Sequence, residues 1–240
     1  MKRIPMPGYR LTFSIALLAC ACAAPQIGAA DLEEAARRVV EQTNRFRTAQ
    51  RLSEQAVNAT LGRTAREFAR FMAKTGKYGH TADGRTPAER ASAHGYDYCV
   101  VLENIAYVYR SRDFPSATEL AADMVEGWKQ SPEHRKAMLD DAATETGVAI
   151  ARDRDGRYFG VQMFGRPKSA AIRFSVTNRS NAEIRYRAGE RTFSLPPRST
   201  REHTVCRPLT LAVTPPSGKP FSAVPGDGAQ YTVTPEGVRQ

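Results

Sequence analysis

The segment ATELAADMVEGWKQSPEHR, residues 117–135, carries the pattern that decides the fold. Its apolar residues recur at helical spacing up to Trp128, the single tryptophan of the chain, which predicts an amphipathic helix with Trp128 as a core anchor. Ser131 and Pro132 then predict that a second helix begins at once, because serine is a favoured N-cap and proline fits the first helical position. His134 lies near the start of this second helix.

Two strands are predicted immediately after these helices. The residues from Gly147 to Ala151 and from Tyr158 to Phe164 have the composition of short strands. The DRDG segment between them, residues 153–156, has the chemistry of a hairpin turn. We therefore expect a small antiparallel sheet beside the helices.

Helical patterns dominate the sequence before residue 117. Asp31 is a good N-cap for a first helix, and the apolar stripe from Leu61 to Met72 predicts a second one. The TPAE segment at residues 86–89 reads as a capping box that opens a third, short helix. Because helices do not alternate strictly with strands, these elements predict an α+β domain.

The character of the sequence changes near Arg166-Pro167, which divides the chain into two predicted domains. Residues 31–167 form the first, and residues 168–240 form a small all-β domain in which short strands alternate with turns rich in Pro, Gly and Ser. This punctuation favours a β-sandwich. The candidate strands are Ala171 to Thr177, Glu183 to Arg187, Arg191 to Leu195, Arg201 to Cys206, Leu209 to Val213 and Gln230 to Val233.

Residues 1–30 have the organisation of a signal peptide. A basic start precedes an apolar run from Leu11 to Ala24 that is short for a bilayer-spanning helix, and small residues follow up to Ala30. Cleavage after Ala30 would give a soluble protein that is secreted or periplasmic. The alternative is that Leu17-Leu18-Ala19-Cys20 acts as a lipoprotein box, so that acylated Cys20 anchors the chain.

The chain is basic, and two interpretations of that charge remain open. Its formal net charge is +10, which falls to +7 when Lys2, Arg3 and Arg10 leave with the signal segment. A basic exported protein can associate with anionic envelope polymers or lipid headgroups, or it can simply have a basic soluble surface. The cations are scattered and few aromatic residues lie among them, so the sequence carries no nucleic-acid signature.

Cys99 and Cys206 are the only cysteines that remain after the signal segment. In an oxidising compartment, a pair of thiols this far apart in sequence is a plausible disulfide that would tie the two domains together. The alternative is two thiols that are buried separately.

Several ordered segments of the first domain resemble the CAP superfamily of cysteine-rich secretory, antigen 5 and pathogenesis-related proteins, in its bacterial SCP-like form. Each segment alone is weak evidence, but their joint order is strong, and the match covers residues 31–167. The segments are Asn44-Arg45-Phe46-Arg47, Tyr78-Gly79-His80, His94-Gly95-Tyr96, Glu103-Asn104-Ile105-Ala106, Trp128 to Arg135, Gly147-Val148-Ala149 and Tyr158 to Gly165.

The resemblance implies an αβα sandwich with a cleft that contains two histidines and acidic residues. Carried over by motif position, the cleft residues are His80, His134 and Glu103. In such proteins the histidines can bind a divalent metal, often zinc. Imidazole and carboxylate groups are also the ligands that zinc prefers on chemical grounds.

The sequence departs from the fuller family pattern at the position of a second cleft glutamate. Glu126 is the nearest candidate, but at 100° per residue it points away from the apolar stripe that includes Trp128, so we expect it to be solvated. Alignment on Trp128 instead places Ser131 at this position, as helix cap and cleft rim. His94 is expected to be a surface or packing residue, and His203 has no evident partner.

These features predict a non-catalytic module of the cell envelope or exterior that binds a ligand or a partner. The candidate partners are a lipid or sterol, a cell-wall polymer, or a protein. The alternative is a metal-dependent hydrolase acting on peptide or envelope substrates, in which His80 and His134 hold the metal and Glu103 is a ligand or general base. A third possibility is that the cleft residues only hold the surrounding loops together.

Overall fold

The computed structural model describes residues 28–240, so the predictions for most of the signal segment, including Cys20, lie outside the described residues. The first helix begins at Ala29 with Gly28 as its N-cap. The prediction that Asp31 is the N-cap is therefore wrong by one turn. Asp31 instead occupies the third helical position, where its carboxylate accepts a hydrogen bond from the Gly28 N–H at 2.9 Å.

Five α-helices and twelve strands, with one short 3₁₀ turn at Lys168–Ala170, make up the described part of the chain. None of the helices between residues 28 and 240 has the length and apolar character needed to cross a membrane. The helices are α1 (Ala29–Ala49), α2 (Ala59–Thr75), α3 (Pro87–Ala93), α4 (Ala117–Gln130) and α5 (Pro132–Met138). The strands are β1 (Ala56–Val57), β2 (Tyr98–Val108), β3 (Glu145–Arg152), β4 (Tyr158–Pro167), β5 (Ile172–Asn178), β6 (Ile184–Ala188), β7 (Arg191–Leu195), β8 (Thr200–Val205), β9 (Leu211–Val213), β10 (Phe221–Ala223), β11 (Ala229–Val233) and β12 (Val238–Arg239).

The first sheet lies between two helical layers, as the resemblance implied. Its strand order is β1-β3-β4-β2, and β4 pairs antiparallel with both β3 and β2. Successive side chains of a strand point to opposite faces. Phe159, Val161 and Met163 of β4 pack in the cluster that contains α2, whereas Tyr158 and Phe164 pack with α1 and α4. The domain is therefore an αβα sandwich, and the α+β prediction is confirmed.

The predicted hairpin is present, but it is the inner half of a larger sheet. The predicted strands correspond to β3 and β4, and the turn between them follows the DRDG segment. The eleven-residue edge strand β2 was not predicted. Its side chains contact helices on both faces of the sheet, so its sequence, YCVVLENIAYV, lacks the alternation of apolar and polar residues that marks a half-exposed strand.

Arg47, in the last turn of α1, holds the neighbouring loops of the first domain in place. Its side chain is buried, and its guanidinium donates hydrogen bonds to four backbone carbonyls, at Ser53, Met138, Asp140 and Ala143. Buried carbonyls of loops need such partners, because they have no ladder partners of their own. Arg47 thereby joins α1 to the loop after it and to the loop that follows α5.

The second region is a β-sandwich of two four-stranded sheets. Their strand orders are β10-β9-β6-β7 and β12-β11-β5-β8, and one apolar cluster contains residues of both sheets. The six predicted strands are all present, whereas the short strands β10 and β12 were not predicted. Asn178, at the end of β5, stabilises the loop that connects β5 to β6. Its buried amide donates hydrogen bonds to the carbonyls of Ala182, Leu195 and Pro196.

A disulfide between Cys99 and Cys206 joins the two regions. Cys99 lies at the start of β2, and Cys206 follows β8 directly. Two further contacts lie nearby: the Lys168 N–H donates to the Asp97 carbonyl at 2.9 Å, and Arg207 pairs with Asp140 at 2.6 Å. Of the two alternatives that the sequence left open for these cysteines, the structure has the disulfide.

Replacing both cysteines (Cys99→Ser with Cys206→Ser) should lower the free energy of unfolding by about 2–4 kcal/mol, because the cross-link closes a long loop in the unfolded chain. The bridged residues are 107 positions apart. Urea denaturation of the wild-type and double-serine proteins measures the difference, and wild-type protein kept in reductant serves as the matched control. Equal stability of the oxidised and double-serine proteins would contradict the expected contribution.

Candidate functional site

The carboxylate of Glu103 is the centre of the candidate site. Its side chain has no exposed surface, although β2 is an edge strand of the sheet. Oε1 lies 2.8 Å from Nδ1 of His80, and Oε2 accepts a hydrogen bond from Nη2 of Arg90 at 2.7 Å. A buried carboxylate needs such partners, since removing an unpaired charge from water is costly. Both oxygens of Glu103 are therefore already used by the protein.

Arg90 connects Glu103 to the loop that carries His80. Its side chain is 5% exposed and projects from the short helix α3. Nη1 donates to Asp83 Oδ1 and to the Arg85 carbonyl, while Nη2 donates to the His80 carbonyl as well as to Glu103. The guanidinium also lies 3.5 Å above the ring of Phe68. One side chain thus fixes the loop, the strand and helix α2 relative to one another.

His80 presents its other ring nitrogen away from Glu103. Because a carboxylate oxygen accepts, Nδ1 is the donor in the contact with Glu103, and Nε2 is left for a ligand. The side chain of His80 is 48% exposed. Glu103 therefore orients an accessible imidazole.

His134 approaches the same place from the other helical layer. It lies on α5, and its carbonyl accepts a hydrogen bond from the amide of Asn104 on β2 at 3.0 Å. The ring centroids of His134 and His80 are 6.4 Å apart. Burial lowers the pKa of His134 below its usual value, and repulsion from His80 lowers it further. At neutral pH the two histidines form a pair in which His134 is predominantly uncharged.

Three exposed tyrosines lie in the loop before His80 and at the end of β2: Tyr78, Tyr107 and Tyr109. The hydroxyl of Tyr78 donates to the Ile105 carbonyl at 3.2 Å, and Nε1 of Trp128 donates to the same carbonyl at 3.0 Å. The ring of Tyr78 meets the ring of Tyr107 edge to face with centroids 5.3 Å apart. Tyr107 and Tyr109 are 55% and 59% exposed. Tyr78 and Tyr107 therefore form an exposed aromatic pair beside Ile105 of β2.

The structure brings three of the predicted site residues together. Glu103 contacts His80 at 2.8 Å, and the ring centroids of His80 and His134 are 6.4 Å apart. Glu126 is exposed and pairs with Lys129 at 2.7 Å, as expected for a solvated residue. Ser131 is the N-cap residue of α5, as predicted, although its side chain makes no capping hydrogen bond. Its place at the rim of the site stays a prediction.

The remaining histidines have partners that the sequence did not reveal. His94 lies 3.1 Å from Glu67. The expectation that His203 has no partner is wrong, since its Nε2 lies 2.7 Å from the Tyr186 hydroxyl and its ring stacks on Phe174. Both residues lie in structural contacts away from the cleft.

Sequence reasoning also missed Arg90 and Tyr78 as parts of the site. Arg90 follows the capping box of α3 by one residue, and nothing in its spacing indicates that it reaches Glu103. In the sequence, Tyr78 stands two residues before His80, and nothing there indicates that its hydroxyl reaches β2. An unpaired glutamate within an apolar strand is the one signal that could have prompted a search for a buried arginine.

The residues fit part of what a divalent metal requires. A histidine that binds a metal usually donates its other ring N–H to a carboxylate, which is the contact between His80 and Glu103. Across residues 28–240, however, no three His, Cys, Asp or Glu side chains are arranged to hold a metal ion. The donor set thus fits a metal held by two histidines, and does not fit the three-ligand shell of hydrolytic zinc sites.

Arg90→Ala should lower the free energy of unfolding by about 3–5 kcal/mol, because it leaves the charge of Glu103 buried and unpaired. Urea denaturation measures the loss. The matched control is Arg110→Ala, which removes an exposed ion pair to Asp123 and should cost far less stability, because water screens such surface pairs. Equal losses in the two variants would contradict a special role for the buried pair, whereas partial recovery by adding Glu103→Gln to Arg90→Ala would support it.

The ring of His134 should titrate below pH 6.5 in the wild-type protein, and His80→Ala should raise its pKa. Burial holds the pKa down in both proteins, but the repulsion from His80 is present only in the wild type. NMR titration of the imidazole protons, with a metal chelator present, measures both midpoints. An unchanged midpoint in His80→Ala would mean that burial alone sets the pKa of His134.

Three of the similar solved structures are of bacterial proteins. An outer surface protein of Borrelia burgdorferi is 20% identical, with a TM-score of 0.51 over 57% of this chain and 96% of that chain. An extracellular protein of Bacillus anthracis that contains an SCP domain is 23% identical, with a TM-score of 0.46 over 56% of this chain and 41% of that chain. A cysteine-rich secretory protein of Staphylococcus aureus is 16% identical, with a TM-score of 0.44 over 58% of this chain and 40% of that chain. At these identities the likeness to the Borrelia protein shows a common fold.

The family assignment rests on the sequence match. No curated protein matches the chain. The model of the family described as "CAP: Cysteine-rich secretory protein family" matches residues 40–164, which is more than half of the 240 residues. This range contains α2, strands β1, β2 and β3, most of β4, and His80, Glu103 and His134. The chain belongs to the CAP, or cysteine-rich secretory, protein family.

Proposed function

We propose that this protein is an exported, non-catalytic binding module of the cell envelope, and that its cleft beside His80 and His134 binds a cell-wall polymer. The β-sandwich of residues 168–240 would contribute a second surface. The proposed location, secreted or periplasmic, is supported by the composition of residues 1–30. This location agrees with those of two similar proteins, the outer surface protein of Borrelia burgdorferi and the extracellular protein of Bacillus anthracis.

The observation that carries the non-catalytic assignment is that the carboxylate of Glu103 is buried and has a protein partner at each oxygen. A general base must be free to take a proton from the reacting group or its water. The two oxygens of Glu103 are occupied by His80 and by Arg90, and its side chain has no exposed surface. The carboxylate is therefore suited to positioning His80 rather than to proton transfer with a substrate.

The side chains around the cleft favour a polymer with sugar rings over a sterol or a fatty chain. Tyr78, Tyr107 and Tyr109 each combine a flat apolar face with a hydroxyl group. The exposed rings of Tyr107 and Tyr109 can stack on the C–H faces of sugar rings, while the accessible nitrogen of His80 can hydrogen-bond to hydroxyl or amide groups. A sterol would instead require an enclosed apolar cavity.

A pull-down on purified peptidoglycan sacculi tests the proposal. The wild-type protein should bind saturably, and Tyr107→Ala with Tyr109→Ala should weaken binding roughly tenfold, since each aromatic contact contributes about 0.5–1.5 kcal/mol. The matched control is Tyr98→Ala, which removes a tyrosine that is 38% exposed at the far end of the same strand. We expect the control to bind like the wild type.

Three outcomes would overturn the proposal. Saturable binding to lipid vesicles but not to sacculi would mean that the ligand is a lipid and not a cell-wall polymer. If Tyr98→Ala weakened binding to sacculi as much as the Tyr107→Ala, Tyr109→Ala variant does, the proposed surface would not be the binding site. Zinc-dependent release of soluble wall fragments that disappears in His80→Ala and His134→Ala would establish the competing function, a metal-dependent hydrolase. The contact between His80 Nδ1 and Glu103 favours only one part of that function, metal binding by His80.

A further inference from the structure

We propose that a pocket between α2 and α3 binds a phosphate ester that carries an apolar or aromatic organic group. This pocket includes Arg90 in its wall but none of His80, Glu103 and His134, so the inference is independent of the cell-wall proposal. Its volume is about 400 Å³, within the usual range for small-molecule sites.

Three cations line this pocket without an ion pair or a side-chain hydrogen bond to the described residues. Arg70 and Lys74 lie one turn apart on α2, so their side chains share a helix face. Arg85 enters from the loop before α3. Among residues 28–240, no ion pair or side-chain hydrogen bond involves any of these three cationic groups, and they are free to receive an anion.

The carboxylates near these cations are already engaged. Asp83 accepts hydrogen bonds from Arg90 at 2.8 Å and from the Arg85 N–H at 3.1 Å. Glu67 lies 3.1 Å from His94. Glu89, which interacts electrostatically with Arg85, accepts hydrogen bonds from the backbone and hydroxyl of Thr86 at 2.7 and 2.9 Å. Four cationic side chains line the pocket against two carboxylates, Glu67 and Asp83, so the balance of charge in its lining is positive.

The pocket also has an aromatic wall. The rings of Phe68 and Phe71 are stacked with centroids 6.3 Å apart and planes 11° apart. Phe68 is covered by the Arg90 guanidinium, whereas Phe71 is only partly buried. A ligand that is only an anion would leave the ring of Phe71 uncovered, so an organic group beside the charge fits the lining better.

The cations favour a phosphate ester over a monocarboxylate. Two arginines and a lysine on neighbouring elements can supply several charge-assisted hydrogen bonds, and a doubly charged phosphate has three oxygens that accept them. A carboxylate has one charge and two oxygens, which would leave at least one cation unpaired.

Isothermal titration of the purified protein with phenyl phosphate tests this inference, with inorganic phosphate and phenol as separate probes. We expect one molecule of phenyl phosphate to bind per chain, inorganic phosphate to bind at least tenfold more weakly, and phenol to give no saturable binding. Lys74→Ala with Arg85→Ala should weaken the binding of phenyl phosphate about tenfold or more, because two charge-assisted contacts are lost. These side chains are exposed, so the double variant should retain the stability of the wild type.

The matched control is Lys77→Ala, which removes an exposed lysine three residues beyond Lys74 and outside the pocket. It should leave the affinity within twofold of the wild type. The inference would be overturned if phenyl phosphate failed to bind, or if Lys77→Ala weakened binding as much as the double variant, which would indicate attraction by diffuse charge. Equal affinity for inorganic phosphate would overturn the role of the aromatic wall.

Discussion

The buried charge of Glu103 is the constraint on which the cleft depends. A carboxylate without exposed surface must have a partner at each oxygen, and here one partner comes from helix α3 and the other from the loop before it. Satisfying Glu103 therefore brings α3, the His80 loop and the edge strand β2 to one place. The orientation of His80 is a consequence of this electrostatic requirement.

The parts of the fold with regular patterns could be predicted from the sequence, and the parts set by long-range contacts could not. The apolar stripe of α4 and the turn chemistry of the β3–β4 hairpin are local signals, and both gave correct elements. Strand β2 lacks such a signal because helices cover both of its faces. His80, Glu103 and His134 could be grouped only by resemblance to a family, since their separations in sequence carry no distance information.

Arg90 contacts the histidine site and also lines the basic pocket, and this limits what its substitution can reveal. One side of the guanidinium holds Glu103 and the carbonyl of His80, while the same residue lines the basic pocket between α2 and α3. A change at Arg90 would disturb both regions together. The two proposed functions must therefore be tested at residues that belong to only one of the two places, such as Tyr107 near the histidine site and Lys74 in the pocket.

The bridge between Cys99 and Cys206 also decides how the protein would respond to proteases outside the cell. Lys168 and Ser169 are exposed in the short link between the αβα sandwich and the β-sandwich. The two cysteines lie on opposite sides of that link. A cut after Lys168 would therefore leave both fragments in one covalent particle, which would migrate as an intact chain until a reductant released the pieces.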